Sequence, residues 1–208
     1  MLELIDVSIE TRHPIAKHLS YLFDKQNIYG VIAPNGSGKT TLFRSIVGLH
    51  PIQKGKILIN HQPVNQQRNK IFYLETPDWL DQNMTSLDYL SLVKKEWHSQ
   101  VAVDSIIERC QLSRFIKLPI HKYSLGMKQR LIFALYLISD AEILLFDETL
   151  NGLDTETREI FHSEIIKLAQ ADKLIIISSH YHEELHKICT KMLRLHNFQL
   201  EEGEENGR

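Results

Sequence analysis

The chain has 208 residues, with 24 Lys and Arg against 26 Asp and Glu, a formal charge of −2, and 43% hydrophobic residues. That length suits one domain, or a core domain with a lobe, and it is enough to bury a sizeable core. The charge balance gives no electrostatic case for nucleic-acid binding, and two cysteines give no disulfide framework.

The first residues, Met1 to Val7, alternate like a strand and lack the basic start of a signal peptide. The longest apolar runs, such as Leu174 to Ile177, are far too short to span a bilayer. A cytosolic, water-soluble protein is expected, with Cys110 and Cys189 as buried small apolar residues.

The apolar run Ile28 to Ile32 leads into Ala33-Pro34-Asn35-Gly36-Ser37-Gly38-Lys39-Thr40-Thr41, and Leu42 to Val47 then follow with helical spacing. Strand, glycine loop and helix in that order define a phosphate-binding loop. Gly36 and Gly38 let consecutive N–H groups turn inward onto phosphates, and the helix N-terminus adds its partial positive charge. Lys39 is placed to reach the β- and γ-phosphates, and the hydroxyl of Thr40 to meet Mg²⁺. The first position of this motif, usually Gly, is Ala33. The pattern predicts nucleoside triphosphate binding.

Residues 2 to 74 are strand-rich. Ile57 to Ile59 and Ile71 to Leu74 read as short strands, with Asn60 to Pro63 as a turn. From Thr85 to about Leu137 the period becomes helical. Thr85 or Ser86 can cap a helix whose Leu87, Leu90 and Val93 share a face. Further helices are predicted from about Val103 to Cys110 and from about Ser124 to Leu137. Two apolar strands follow, Ile143 to Phe146 and Leu174 to Ser178, with a helix around Glu156 to Ala169 between them. Strands that are apolar throughout belong to a sheet buried on both faces. The fold class is therefore α/β, with an inserted helical lobe.

The strand Ile143 to Phe146 ends in Asp147-Glu148. In P-loop enzymes an Asp at such a strand end holds Mg²⁺, and a neighbouring Glu can polarise the attacking water. Tyr123-Ser124-Leu125-Gly126-Met127-Lys128-Gln129-Arg130 places a Ser and a Gly at a predicted helix N-terminus, a second anion-binding element. One chain seldom needs two such helix ends for a single nucleotide, but two copies packed head-to-tail can bring them face to face.

In this order the motifs resemble those of ATP-binding-cassette (ABC) ATPase subunits, over essentially the whole chain. The matching segments are the P-loop, Ala33 to Thr41; the signature, Tyr123 to Gln129; and the Walker B strand end, Asp147-Glu148. They continue with the D-loop, Asn151-Gly152-Leu153-Asp154, and the switch histidine, His180. The signature keeps Ser124 and Gly126, while Leu125 and Met127 depart from the usual Leu-Ser-Gly-Gly-Gln. That form resembles the ATPases of bacterial bacitracin- and lantibiotic-type peptide or drug exporters.

The resemblance implies a P-loop NTPase core with a mixed, mostly parallel sheet and an N-terminal antiparallel β portion. The core would take residues 1–75 and about 138–200, the lobe about 76–137, and an acidic tail 201–208. It also implies two ATP molecules sandwiched between two copies. Each would be held by Asn35, Gly36, Ser37, Gly38, Lys39, Thr40 and Thr41 of one chain and by Ser124 and Gly126 of the other, with Asp154 at the same interface. Thr40 and Asp147 would hold Mg²⁺, Glu148 would act as general base, and His180 would contact the γ-phosphate and orient the water.

The implied partners are a second ATPase subunit and a transmembrane permease, met near Glu75 to Trp79 at the inner face of the cell membrane. The glutamine that relatives carry in this region falls at Thr76, or at Glu75 with a one-residue gap, and neither is Gln. The aromatic that stacks on adenine in relatives has His13 as its nearest counterpart, and Thr149-Leu150 replaces the usual Pro-Thr.

Rival readings are weaker. ABC ATPases acting on DNA usually carry coiled-coil insertions, and those acting on the ribosome usually carry two cassettes. A small-molecule kinase would need neither Ser124-Gly126 nor the D-loop.

Overall fold

Strands that are apolar at every position need cover on both faces, and the fold supplies it. A computed structural model describes residues 1–149, 153–179 and 182–203, with His182 and Glu184 described by backbone alone. The chain opens with β1 (Leu2–Glu10), β2 (Pro14–Phe23) and β3 (Ile28–Ile32), followed by α1 (Lys39–Ile46), β4 (Lys54–Ile59), β5 (Gln62–Pro63) and β6 (Ile71–Tyr73). A helical stretch comes next: α2 (Ser86–Glu96), α3 (Val103–Arg109) and α4 (Leu125–Ser139). It returns through β7 (Ile143–Asp147), α5 (Thr155–Gln170), β8 (Leu174–Ser178), α6 (His182–Ile188), β9 (Lys191–His196) and β10 (Gln199–Glu202).

Two sheets result. One has four strands in the order β2-β1-β4-β5, paired antiparallel, and the other has six in the order β10-β9-β3-β8-β7-β6. In the larger sheet β9, β3, β8, β7 and β6 run parallel, and β10 alone is antiparallel.

Because side chains alternate along a strand, each central strand serves two cores. Ile143, Leu145, Leu174 and Ile176 pack with α1 and the antiparallel sheet. Leu144, Phe146, Ile175 and Ile177 pack on the other side with α4 and α5. Every residue of β7 and β8 is buried, as their unbroken apolar sequence requires.

Helix α4 is likewise buried all round from Leu131 to Ser139. Its Phe133 ring stacks on Phe161 of α5 with centroids 3.7 Å apart. Tyr136, fully buried on α4, donates its hydroxyl to Leu145 O of β7 at 2.5 Å and accepts from Leu74 N at 3.1 Å. One phenol therefore ties the helix to two segments of the central sheet.

Local signals fix the helix starts. Thr85 caps α2 through a box with Asp88, each satisfying the other's backbone N–H. Ser124 is the N-cap of α4, outside the helix predicted to include it, and α4 runs two residues past Leu137 to an Asp140 cap in left-handed conformation.

The turn expected over Asn60 to Pro63 is tighter than that. Only Asn60 and His61 turn, both with positive φ, and Gln62–Pro63 pair back onto β4. Glu201 and Glu202, expected in a frayed tail, belong to β10, paired with Arg194 and Leu193. Glu204 and Glu205 lie outside the described residues. Cys110 is buried as expected, whereas Cys189 is only half-buried.

Candidate nucleotide site

The loop from Ala33 to Gly38 is built by its glycines. Gly36 and Gly38 have φ of +75° and +99°, the region that side chains resist. A Cβ on Gly38 would come within 2.4 Å of Ile15 Cγ2, whereas one on Gly36 would meet nothing within 4 Å. Ile15 of β2 therefore closes against the loop on one side, and the other side stays open. The loop lines a cavity of about 420 Å³, whose walls include Asn35, Gly36, Gly38, Lys39, Thr40, Thr41 and Glu148. Thr11 and Ile15 complete the wall, and exposed His13 takes no part in it.

Lys39 is only 5% exposed, and its ammonium donates to Ala33 O at 2.8 Å and Pro34 O at 3.4 Å, so the loop's own carbonyls hold its charge. The Oγ of Ser37, in the same loop, is buried and has no hydrogen-bond partner within the protein. A buried hydroxyl of that kind takes an outside partner, a ligand or a water.

Asp147 ends β7 directly opposite Ser178 of β8. Its carboxylate is 5% exposed and accepts from Ser178 Oγ at 2.5 Å and from Tyr73 Oη at 3.3 Å. Ser178 also receives the Glu148 N–H, on its carbonyl at 3.1 Å and on Oγ at 3.2 Å. Glu148 itself has φ +55°, a left-handed turn off the strand that aims the residue at the cavity.

Glu75 and Thr76, the two candidates for the position of the family glutamine, are both engaged. Glu75 accepts two hydrogen bonds from Arg44 of α1, Nε at 2.6 Å and Nη2 at 2.5 Å. That guanidinium, with the Tyr73 phenol, holds its carboxyl below the usual range although burial opposes the shift. Thr76 caps the short turn Pro77–Trp79 by accepting from Asp78 N. Trp79 is 47% exposed.

The signature residues stand apart from this cavity. Ser124, Gly126 and Asp154 line a second cavity of about 880 Å³ that shares none of its wall with the first. Ser124 Oγ accepts from Met127 N, and Asp154 caps α5 by accepting from Thr157 N at 2.8 Å. Arg130 spans the second cavity's floor, donating to Gln111 Oε1 and Thr157 Oγ1. Asn151, Gly152 and His180 lie outside the described residues.

Tyr73, Arg44 and Ser178 were not anticipated as site residues. Ser178 had a signal, since it ends the second apolar strand at the same level as Asp147 ends the first. The other two are brought in by folding alone.

Residues 16–151 match the ABC transporter family. The chain is 32% identical over 212 residues to an uncharacterized ABC transporter ATP-binding protein, YybJ, of Bacillus subtilis, covering 99% of this chain and 97% of that one. It is 27% identical over 201 residues to the Nod factor export ATP-binding protein I of Sinorhizobium fredii, covering 91% of this chain and 58% of that longer one. A solved structure described as the ATP binding subunit of an ABC transporter superposes with a TM-score of 0.89 over 98% of this chain and 89% of that one. Their identity is 22%, so this likeness concerns the fold alone. The chain belongs to the ABC transporter family, as an ATP-binding subunit and an ATPase. Subunits of this family work with transmembrane partners. No helix among the described residues is long and apolar enough to cross a membrane.

Proposed function

We propose that this chain powers export through a separate membrane subunit, that two copies hydrolyse ATP head-to-tail, and that the cargo is a peptide antibiotic or drug. The observation that carries the two-copy reading is the separation of the site into two cavities. The P-loop and Glu148 line one, and Ser124, Gly126 and Asp154 line the other. A second copy turned head-to-tail would close each P-loop with a signature face. Export is supported by relatives named for Nod factor export, and the peptide class by the form of the signature, Tyr123 to Met127. The site would then lie at the inner face of the cell membrane, with residues 76–137 as the lobe that meets the permease.

In this reading the loop N–H groups from Asn35 to Thr41 and the Lys39 ammonium bind the β- and γ-phosphates. Ser124 and Gly126 of the second copy bind the γ-phosphate from the opposite side, with Asp154 beside them. Glu148 accepts the proton of the attacking water, and His180 orients that water.

The oxygen donors suit Mg²⁺, which takes few protein ligands and shares the rest with phosphates and water. Thr40 and Asp147 would hold it with the phosphates and water, and among the described residues no group of three or more His, Cys, Asp or Glu side chains could hold an ion by itself. When bound, Mg²⁺ neutralises charge developing on the phosphates.

The test is Glu148→Gln, purified in mild detergent from its native cells with and without ATP. ATP-dependent dimers, near-zero turnover and a co-purifying multi-span membrane protein are expected. Parental turnover would remove Glu148 from the base role, and ribosomal or DNA-bound partners in place of a membrane protein would overturn the transporter reading.

A further inference from the structure

The parallel strands β3 and β9 stay paired up to Ile32 and Arg194, and there they part. β3 runs on into the P-loop, while β9 turns into β10 through Asn197 and Phe198, both with positive φ. Where they diverge lies a cavity of about 390 Å³, walled by Ile32, Ala33, Pro34 and Asn35 from one strand and by Arg194, Leu195 and His196 from the other. It sits at the carboxyl ends of parallel strands, where α/β sheets take ligands, and it has the size of a small-molecule site.

This cavity and the nucleotide cavity share a wall, since Asn35 lines both. Ala33 and Pro34, which line the β3–β9 cavity, are also the residues whose carbonyls hold the Lys39 ammonium, at 2.8 Å and 3.4 Å. An occupant would therefore bear on the same two residues that anchor Lys39 in the nucleotide cavity.

The lining selects the chemistry. Ile32, Ala33, Pro34 and Leu195 offer an apolar surface. Arg194 and His196 are exposed at its side, and they differ in what holds them. Glu201 of β10 stands opposite Arg194 in the strand pairing, yet its carboxylate lies by His196, with Oε2 3.9 Å from Nδ1. The Arg194 guanidinium has no hydrogen-bond or ion-pair partner among the described residues. Free guanidinium donors beside an apolar cavity suit a carboxylate or sulfonate carried on a ring system.

We infer that this cavity is a site for small amphiphilic anions, an apolar ring body bearing one acidic group, and that its occupancy is linked to ATP binding through Ala33 and Pro34. Both cavities are open in the one conformation in which Lys39 is anchored. A ligand seated on Ala33 and Pro34 favours that conformation and so favours ATP, and ATP favours the ligand by the same factor. The inference rests on the P-loop as the ATP site and on nothing about cargo or permease.

The experiment titrates the full chain with anilinonaphthalene sulfonate, an aromatic sulfonate read by its fluorescence, with and without a saturating non-hydrolysable ATP analogue. One probe per chain is expected, bound about fivefold more tightly when the analogue is present. Arg194→Gln should weaken the probe about tenfold, the loss of one hydrogen bond to a charged group. His196→Trp, which fills the cavity from its exposed side, should weaken it at least as much. Neither residue lines the nucleotide cavity, so the analogue's affinity without probe should stay parental in both variants.

Parental probe affinity in both variants would overturn the site. Displacement of the probe by the analogue would place it in the nucleotide cavity and overturn the inference as a whole. A probe affinity that ignores the analogue would overturn the linkage. Each of these results would leave the export proposal standing.

Discussion

The guanidinium of Arg109 on α3 grips the carboxylate of Glu164 on α5, with Nε 2.9 Å from Oε2, across the contact between the helical stretch and the core. Glu164 is only 6% exposed, and its other oxygen accepts from Lys167 at 2.8 Å. Removing Arg109 would leave a buried charge with one partner. We expect Arg109→Ala to cost about 2 kcal/mol, less than for a fully isolated charge because Lys167 remains. Urea unfolding would measure this, and Arg109→Ala/Glu164→Gln should lose less than Arg109→Ala alone.

Lys39 has three N–H donors and spends two of them on carbonyls of its own loop, which leaves one for a phosphate. Lys39→Ala should weaken ATP binding about a hundredfold or more, the loss of a charge-assisted contact to phosphate. Isothermal titration would decide it, and parental affinity would remove Lys39 from phosphate binding.

Ser178 serves Asp147 and the Glu148 backbone at once, through one hydroxyl. Ser178→Ala should lower kcat about tenfold while ATP still binds, because two groups at the reacting end lose their alignment together. Steady-state kinetics beside nucleotide titration separate the two effects. An unchanged kcat would show that the hydroxyl serves packing only.

Acid should weaken the fold through Glu142. Burial raises its carboxyl, but hydrogen bonds from Lys70, Asn60 and Lys25 overcome that and hold it down to about 2. A carboxyl lowered on folding adds stability above its unfolded value, near pH 4.5, and loses it as pH falls toward 2. Allowing for solvent screening, this contribution is about 1–2 kcal/mol. Denaturant midpoints should therefore fall between pH 5 and pH 3 by less in Glu142→Gln than in the parent.

The fold and the P-loop side of the site were legible in the sequence because both are written locally. Asn35 to Thr41 carry their turn in two glycines, and β7 and β8 carry their burial in unbroken apolar runs. The pairing of Asp147 with Ser178 follows once those runs are adjacent parallel strands. The hairpin of β9 and β10 was missed because its alternation is broken by a turn with positive φ at Asn197 and Phe198, and its second strand ends in acidic residues. The contacts of Tyr73 with Asp147, and of Arg44 with Glu75, join residues 74 and 31 positions apart. No periodicity encodes such pairs; they exist only once α1, β6 and β7 are packed side by side.

Helix α4 is fastened into the sheet near one end and borders a cavity near the other. Tyr136 is hydrogen-bonded into the sheet, while Ser124 opens onto the second cavity. Eleven residues separate them, a span of twelve helical rises, so the helix forms an arm about 18 Å long. A tilt of about 5° about the tyrosine carries the serine about 1.6 Å, half the length of a hydrogen bond. On the reading proposed above, such a tilt would bring the signature face onto a nucleotide or lift it away by leverage, about a pivot held in the sheet.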